Sequence, residues 1–375
     1  MGNAAVLVIG AGPGGLAVAA ALRRRGVAAL VLERSGDVGT SWRGHYERLH
    51  LHTTRRWSSL PGLPIPREYG RWVARSDVVR YLEQYTAHHR IEVRPGIEVT
   101  RVGRAGYGRW VLGTVAGESF SGSRVVVATG YNHTPVPPRW PGVETFDGEL
   151  LHASAYRNPE PYRGRDVLVV GAGNTGAEIA VDLTEGGASR VRLAVRTPPH
   201  IVRRSNLGWP AQGTGIVVRH LPVPVVDRIA SAVARVEVPD LSAHGLPRPA
   251  TGLYSRVREG SVPLQDVGLI AAVQAGLVEP VAAVQSVDDG AVVLADGSRI
   301  TPEVIIAATG YRRGLEPLVG HLDLLDDRGL PRVHGPRTSH SAPGLYFTGY
   351  TNPISGMFRE LGLDAERIAR AISRG

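Results

Sequence analysis

Two glycine loops of one design constrain what this chain can fold into. The first stands in AAVLVIGAGPGGLAVAAALRRRG, where Gly10, Gly12 and Gly15 form G-x-G-x-x-G between an apolar run, Ala5–Ile9, and a helix-forming run, Leu16–Arg25, closed by Gly26. The second stands in RDVLVVGAGNTGAEIAVDLTEGG, with Gly171, Gly173 and Gly176 between a strand at Val167–Val170 and a helix running to Leu183. In such a turn the first glycine permits the tight bend, the second lets the backbone approach a pyrophosphate, and the third lets helix and strand pack closely. The helix start offers free N–H groups and a favourable dipole to an anion. Pro13 and Gly14 complete the first loop, and Asn174 and Thr175 the second. A lone loop of this kind says little. With flanking strands and helix in register it specifies a dinucleotide fold. The expected class is α/β, with two Rossmann-like dinucleotide-binding domains, the second inserted in the first.

The residue that ends the second strand separates the two copies. AALVLER ends in Glu33, an acid about twenty residues past the loop and suited to accept from both ribose hydroxyls, and Arg34 follows it. In the second copy the strand Val191–Val195 is followed by Arg196 and Thr197. An acid there would repel a 2′-phosphate, whereas an arginine and a hydroxyl bind one. The first loop therefore reads as an FAD site and the second as an NADPH site in preference to NADH. Arg196 also fits a solvated strand-end arginine, and Arg203 and Arg204 are further candidates for the same phosphate.

SRVVVATGYN and EVIIAATGYR each end an apolar strand in Ala-Thr-Gly-Tyr. They place Ala128, Thr129 and Gly130, and Thr309, Gly310 and Tyr311, where a Rossmann unit closes. GLYFTGYTNPISGMFRELGLDAERIARAI adds a strand, a turn containing Gly349, and an amphipathic helix from near Ser355–Gly356. The positive end of that helix suits the flavin pyrimidine. The domain boundaries expected are 1–155 and 301–375 for FAD, 156–163 as linker, and 164–300 for NADPH with a substrate-pocket insertion. Within the variable region Ser205–Ser261, the side chains of Trp209, Leu221, Val223, Val225, Val226 and Tyr254 suit an apolar pocket or ordinary core packing.

Composition removes several rivals. No cysteine among 375 residues excludes disulfide scaffolds, thiolate metal sites, cysteine nucleophiles and a redox disulfide. No lysine excludes a Schiff base, and metal ligands are not apparent. The formal charge of +9 rests on scattered arginines, without the tract or signature of a nucleic-acid binder. It reads as the codon bias of a GC-rich bacterial genome rather than as a nucleic-acid or membrane partner, although an arginine-rich surface helps attract anionic nucleotides. The apolar N-terminus lacks a basic n-region and is broken by four glycines, Gly10, Gly12, Gly14 and Gly15, so it reads as strand, turn and helix rather than a signal peptide. No other run is long enough to span a bilayer. The expectation is a cytoplasmic protein, its oligomeric state left open.

Between the two loops lies FDGELLHASAY, residues 146–156, spaced F-x-G-x-x-x-H-x-x-x-Y. Two dinucleotide loops flanking this motif resemble the class B flavin monooxygenases. The likeness covers most of the chain. LERSGDVGTSWR resembles the segment after the flavin ribose acid. YERLHLHTTRRWSSLPGLPIP, RHLPVPVVDRIA and HGLPRPATG with SVPLQDVGLI resemble the YUCCA-type enzymes. GAGNTG carries the family's Asn, at Asn174. Gly-Thr-Ser-Trp departs from the usual Gly-Gly-x-Trp, as does Tyr131 after the first Ala-Thr-Gly.

The resemblance implies Ser41, Trp42, His52, Thr53 and Val99 as further cofactor contacts. It implies that NADPH reduces FAD, that O2 adds to the reduced ring, and that a flavin (hydro)peroxide oxygenates a small organic metabolite. The YUCCA likeness points to oxidative decarboxylation of an aryl 2-oxo acid. N- or S-oxygenation in a bacterial biosynthetic pathway, an FAD-dependent dehydrogenase or oxidase, and an inactive flavoprotein acting as a binding module stay open. A disulfide reductase would lack its redox centre. In the motif, Phe146 is implied to anchor the linker, Gly148 to bend it, His152 to lie near an inter-domain hinge and Tyr156 to lead into the NADPH domain; His152 fits a structural histidine equally well. His50 and His52 alternate with Leu49 and Leu51 on an expected strand, on one face, where they would border the flavin ring or form a hydrogen-bonded pair.

Overall fold

The computed structural model describes residues 2–106, 108–206, 208–218 and 221–374. The chain forms two compact units. One contains Met1–Arg43, Thr53–Thr134 and Tyr311–Gly375, the other Gly44–His52 and Pro135–Gly310.

The first unit is built around β1 (Gly2–Ile9), whose Val6, Leu7, Val8 and Ile9 are all buried. A run buried on both faces belongs in the middle of a parallel sheet. It pairs in parallel with β2 (Ala29–Leu32), which pairs with β3 (Glu92–Arg94). An antiparallel meander, β4 (Val99–Ala105), β5 (Arg109–Thr114) and β6 (Ser119–Val127), returns the chain to the other side of β1, where β6 runs parallel to it. Helix α1 (Pro13–Arg23) follows β1, and α2 (Arg75–His88) precedes β3.

The second unit repeats the plan. Among its strands are β7 (Glu149–His152), β8 (Asp166–Val170), β9 (Arg190–Val195), β10 (Ile201–Arg203), β11 (Leu264–Asp266), β12 (Val278–Ala282) and β13 (Val304–Ala307). Among its helices are α3 (Asn174–Glu185), α4 (Val223–Glu237) and α5 (Leu253–Arg258). Among the described residues, five strands form a parallel sheet in the order β12-β9-β8-β13-β7, and β10 pairs with β11 as a separate parallel ribbon. An apolar cluster of Leu168, Ala194, Val287, Val292, Leu294 and Ile305, with Phe146 packed against it, covers one face.

The chain then closes the first unit with β14 (Leu345–Phe347) and α6 (Met357–Arg374). β14 pairs in parallel with the last residues of β6, 125–127, while β5 pairs with its first, 119–122. One long strand therefore has two successive outer neighbours. Phe358, Leu361, Ala365, Ile368, Ala369 and Ile372 recur every three or four residues on α6 and are buried.

Two expectations are corrected here. Residues 135–155 and 301–310 were assigned to the first domain, yet both lie in the second unit. The reason is backbone pairing: β7 and β13 are strands of the second sheet, with Glu149 N donating to Glu303 O at 3.0 Å and Ala153 N to Ala307 O at 2.9 Å. The aromatic-glycine-histidine motif is thus mainly an edge strand rather than a linker. Residues 49–52 form no strand either: they carry a single bridge at His50 and pack within the second unit. No described helix is long and apolar enough to cross a membrane.

Candidate dinucleotide-binding sites

In the first unit the carboxyl ends of β1, β6 and β14 meet. Gly10 has φ +104°, and a Cβ on it would stand 2.6 Å from the carbonyl oxygen of Ala128. A Cβ on Gly15 would stand 1.9 Å from the Gly10 oxygen, so only glycine lets α1 leave the strand this closely. A Cβ on Gly12, by contrast, meets nothing within 4 Å. Gly12 opens onto free space at the start of α1, where Pro13 occupies the first turn and no side chain caps the helix. That combination is a cradle for a pyrophosphate.

Glu33 lies beside this loop and is buried. Its Oε2 accepts from Ala11 N at 2.7 Å and its Oε1 from Ser35 N at 3.0 Å. Each oxygen keeps a second lone pair for a ribose hydroxyl. Arg34, exposed, places Nη1 3.2 Å from His133 Nε2; burial first and this guanidinium second hold His133 below its ordinary pKa. Thr129 donates its N–H to Tyr350 Oη at 3.1 Å and the two hydroxyls share a hydrogen bond of 2.8 Å; burial pushes the Tyr350 pKa up to about 12. Gly130 and Gly349 have φ of +96° and +88°. Trp42 meets Phe358 edge-on at 5.7 Å, Ser41 is exposed beside it on the short helix Thr40–Arg43, and Thr53 shares a hydrogen bond of 2.7 Å with Ser58. The Val99 side chain packs on the apolar core. The buried hydroxyl of Thr348, just after β14, has no hydrogen-bond partner among the described residues. An open cradle, spare lone pairs on a buried acid and an orphaned hydroxyl fit FAD.

The second unit reproduces this geometry closely. Gly171 has φ +113° and its Cβ would lie 2.6 Å from Ala308 O; that of Gly176 would lie 1.9 Å from Gly171 O; that of Gly173 meets nothing within 4 Å. The amide of Asn174 is not free for a cofactor. Its Nδ2 donates to Pro263 O at 3.1 Å and its Oδ1 accepts from Gln265 N at 2.7 Å, clamping the loop to β11. At the end of β9, Arg196 and Thr197 are exposed, and Arg196 has no hydrogen bond or ion pair among the described residues. Arg203 donates Nε to Glu237 O at 2.8 Å, and Arg204 donates to Leu51 O, burial lowering its pKa to about 10. Of the three arginines, Arg196 is the one uncommitted. A cradle with an uncommitted exposed cation at the ribose position fits NADPH.

Thr309 donates to Val136 O at 2.5 Å, and Gly310 O accepts from Val136 N at 3.0 Å and from His152 Nε2 at 3.1 Å. His152 Nδ1 accepts from Ser154 N at 3.1 Å, so the ring is neutral with its proton on Nε2; burial lowers its pKa, against the pull of the Gly310 carbonyl. His152 supports the turn that follows β13. Tyr311 begins the return to the first unit. Tyr156 is fully buried, donates to Asp182 Oδ2 at 2.8 Å and stacks on Tyr162 at 5.7 Å.

His52, expected beside the flavin, instead places Nε2 2.8 Å from Glu178 Oε1 of α3, within the second unit. His50 Nδ1 lies 2.7 Å from Arg48 O, and Tyr46 donates to Glu178 Oε2 at 3.1 Å. Without a ladder partner the segment does not alternate; it lays polar side chains onto a helix. Of the apolar residues expected to line a pocket, Val226 and Tyr254 are buried, Val223 is half-buried, and Trp209, Leu221 and Val225 are exposed; residues 207, 219 and 220 of that region, and so Arg219 and His220 of RHLPVPVVDRIA, lie outside the described residues. Tyr350 and Thr348 were missed. Their signal was in the sequence as a third Thr-Gly-Tyr, 348–350, ending a third parallel strand.

The model of a family described as pyridine nucleotide-disulphide oxidoreductase matches residues 7–207. The rice (Oryza sativa subsp. japonica) indole-3-pyruvate monooxygenase YUCCA1 is 36% identical over 350 residues, covering 92% of this chain and 86% of the relative. The probable indole-3-pyruvate monooxygenase YUCCA3 of Arabidopsis thaliana is 33% identical over 382 residues, covering 98% and 86%. Among solved structures, a flavin-containing monooxygenase from Stenotrophomonas maltophilia superposes with a TM-score of 0.73 at 25% identity, over 100% of this chain and 99% of that one. A closed cyclohexanone monooxygenase, at 20% identity, shares the fold with a TM-score of 0.75 over 100% and 85%. The chain belongs to the pyridine nucleotide-disulphide oxidoreductase family and, within it, to the flavin monooxygenases related to the YUCCA enzymes, an oxidoreductase whose cofactors are FAD and NADPH.

Proposed function

We propose that the first unit holds FAD, that the second holds NADPH in preference to NADH, and that the enzyme oxidatively decarboxylates an aryl 2-oxo acid. The observation that carries the cofactor assignment is the contrast at one structural position: a buried Glu33 after β2, an exposed and uncommitted Arg196 after β9. The substrate class draws its support from the YUCCA relatives, which are named for indole-3-pyruvate. With no cysteine in the chain, dithiol exchange has no centre here.

Bound FAD, once reduced by NADPH, supplies the chemistry that activates O2. The protein binds and orients. The free N–H groups at the start of α1 hold the flavin pyrophosphate, and Glu33 accepts from the adenosine ribose. Thr129 is held in place by Tyr350, so the turn after β6 keeps one conformation. In the second unit α3 offers its amino end to the NADPH pyrophosphate while Arg196 and Thr197 take the 2′-phosphate. His152, neutral, fixes the Gly310 carbonyl.

The test is product analysis. Flavin-loaded enzyme with NADPH, 18O2 and either indole-3-pyruvate or phenylpyruvate should yield the acid one carbon shorter, carrying one labelled oxygen. No such acid above the enzyme-free background, with labelled N- or S-oxides from amine and thioether panels, would move the activity to heteroatom oxygenation. NADPH consumption that yields hydrogen peroxide alone would make the chain an oxidase.

A further inference from the structure

Eleven large apolar side chains are exposed among the described residues, and seven of them fall between positions 209 and 236: Trp209, Val217, Leu221, Val225, Ile229, Val233 and Val236. Four are on α4. At 100° per residue, Val225, Ile229, Val233 and Val236 fall on one stripe with Ala232. They are 44%, 49%, 44% and 88% exposed, while Val226, next to Val233 at the inner edge of the stripe, is 5% exposed. The attachment of α4 explains why. Asp227 caps α5, accepting from Tyr254 N at 2.5 Å and from the Ser255 hydroxyl at 2.6 Å. The helix is fastened along that edge, and its most apolar face is left outward.

One flank of the stripe is basic, while Glu237 closes the helix on the other. Arg228 and Arg235, one heptad apart, lie along one flank, exposed and without a partner among the described residues. Asp227, next to Arg228 in the chain, is turned to α5. A second copy packed antiparallel on the stripe would set these arginines against their own counterparts, and like charges side by side oppose pairing. A surface that buries the stripe and satisfies the border must be apolar within and anionic at its edge.

We propose that α4 docks on an anionic phospholipid surface, lying in the interface plane with Val225, Ile229, Val233 and Val236 toward the acyl chains and Arg228 and Arg235 among the phosphate headgroups. The net charge of +9, which by itself does not point to a membrane, adds a long-range attraction to such a surface once α4 supplies the apolar contact. No described helix is built to cross a membrane, so attachment is peripheral and weakens with salt. This proposal is independent of the substrate assignment.

The experiment is co-sedimentation of the flavin-loaded full chain with vesicles of phosphatidylcholine alone, or of phosphatidylcholine mixed with phosphatidylglycerol. Binding to the anionic vesicles should be roughly tenfold tighter or more, given two arginines at the surface, and should fall as salt is raised. Ile229→Asp should abolish it while keeping flavin content and NADPH oxidation. If that variant loses its flavin, the double variant Arg228→Gln, Arg235→Gln serves: it should lose the preference for anionic vesicles. Absence of binding to anionic vesicles, or binding that these variants leave unchanged, overturns the proposal. So does a dimer in light scattering that Ile229→Asp dissociates, which would assign the stripe to a second copy, or capture by an acidic polypeptide such as polyglutamate in preference to vesicles.

Discussion

Arg196 and Glu33 occupy the same place in two copies of one motif, and in the proposed assignment the chemistry of the side chain decides which dinucleotide each copy accepts. Replacing Arg196 with Ala removes a charge-assisted contact to the 2′-phosphate. Because the side chain is exposed, the loss should sit at the lower end of the usual range, roughly 1.5 kcal/mol, or about tenfold in KM for NADPH, with NADH nearly unchanged. Steady-state kinetics with both cofactors checks this. Equal losses for the two, or a larger loss in Arg203→Ala, would reassign the phosphate. Glu33 and Arg196 were legible because each follows a glycine loop at a set interval. Asn174 was not, because its side chain is spoken for by Pro263 and Gln265, residues about ninety positions away whose approach no local pattern announces. His52 failed for the same kind of reason: its partner, Glu178, is remote in sequence.

At the scale of elements, the two loop-helix junctions are so alike that they can be tested as a pair. Gly12 and Gly173 have ordinary backbone angles, φ −78° and −87°, and nothing within 4 Å of an added Cβ. Gly12→Ala and Gly173→Ala should therefore fold with unchanged Tm. Each methyl would intrude on its own cofactor, at the 1–3 kcal/mol of a local overpacking, roughly ten- to hundredfold in affinity. Gly12→Ala should be purified with less flavin, and Gly173→Ala should be fully yellow with a raised KM for NADPH. Flavin loss in both, or in neither, would refute the division of labour between the units. The strands that announced themselves, β1, β6, β8 and β13, are apolar runs buried on both faces. β7 did not, because a four-residue edge strand, largely exposed, takes its conformation from the ladder with β13 rather than from its own side chains. Leu49–His52 shows the converse: alternation without a partner strand gives no strand.

For the molecule as a whole, partly buried histidines predict how it responds to acid. His89, His133, His152, His200 and His334 all lie below the ordinary value of 6.5, with burial the first cause in each, and His334 is brought down to about 4. The unfolded chain therefore takes up protons first as pH falls through about 6.5, and stability is lost from there down to the folded values. Asp182 and Asp364 act in the opposite sense: burial raises both, Asp364 to about 6, so the folded state holds their protons more tightly. His334 and Asp364 face each other at 3.3 Å. That approach favours a charged pair, but both groups are enclosed, and burial shifts each toward its neutral form. Their contributions largely cancel between about pH 6 and 4, while above 6 the histidines act unopposed. The expected wild-type behaviour is a Tm that begins to fall just below neutral pH. Asp364→Asn removes the opposing group and leaves His334 in place. Whatever constant stability that variant loses, its Tm should fall more steeply than wild type between about pH 6 and 4. Scanning fluorimetry across that range reads the slope directly. A slope equal to or shallower than wild type would mean that Asp364 takes up no proton in the folded protein across that range.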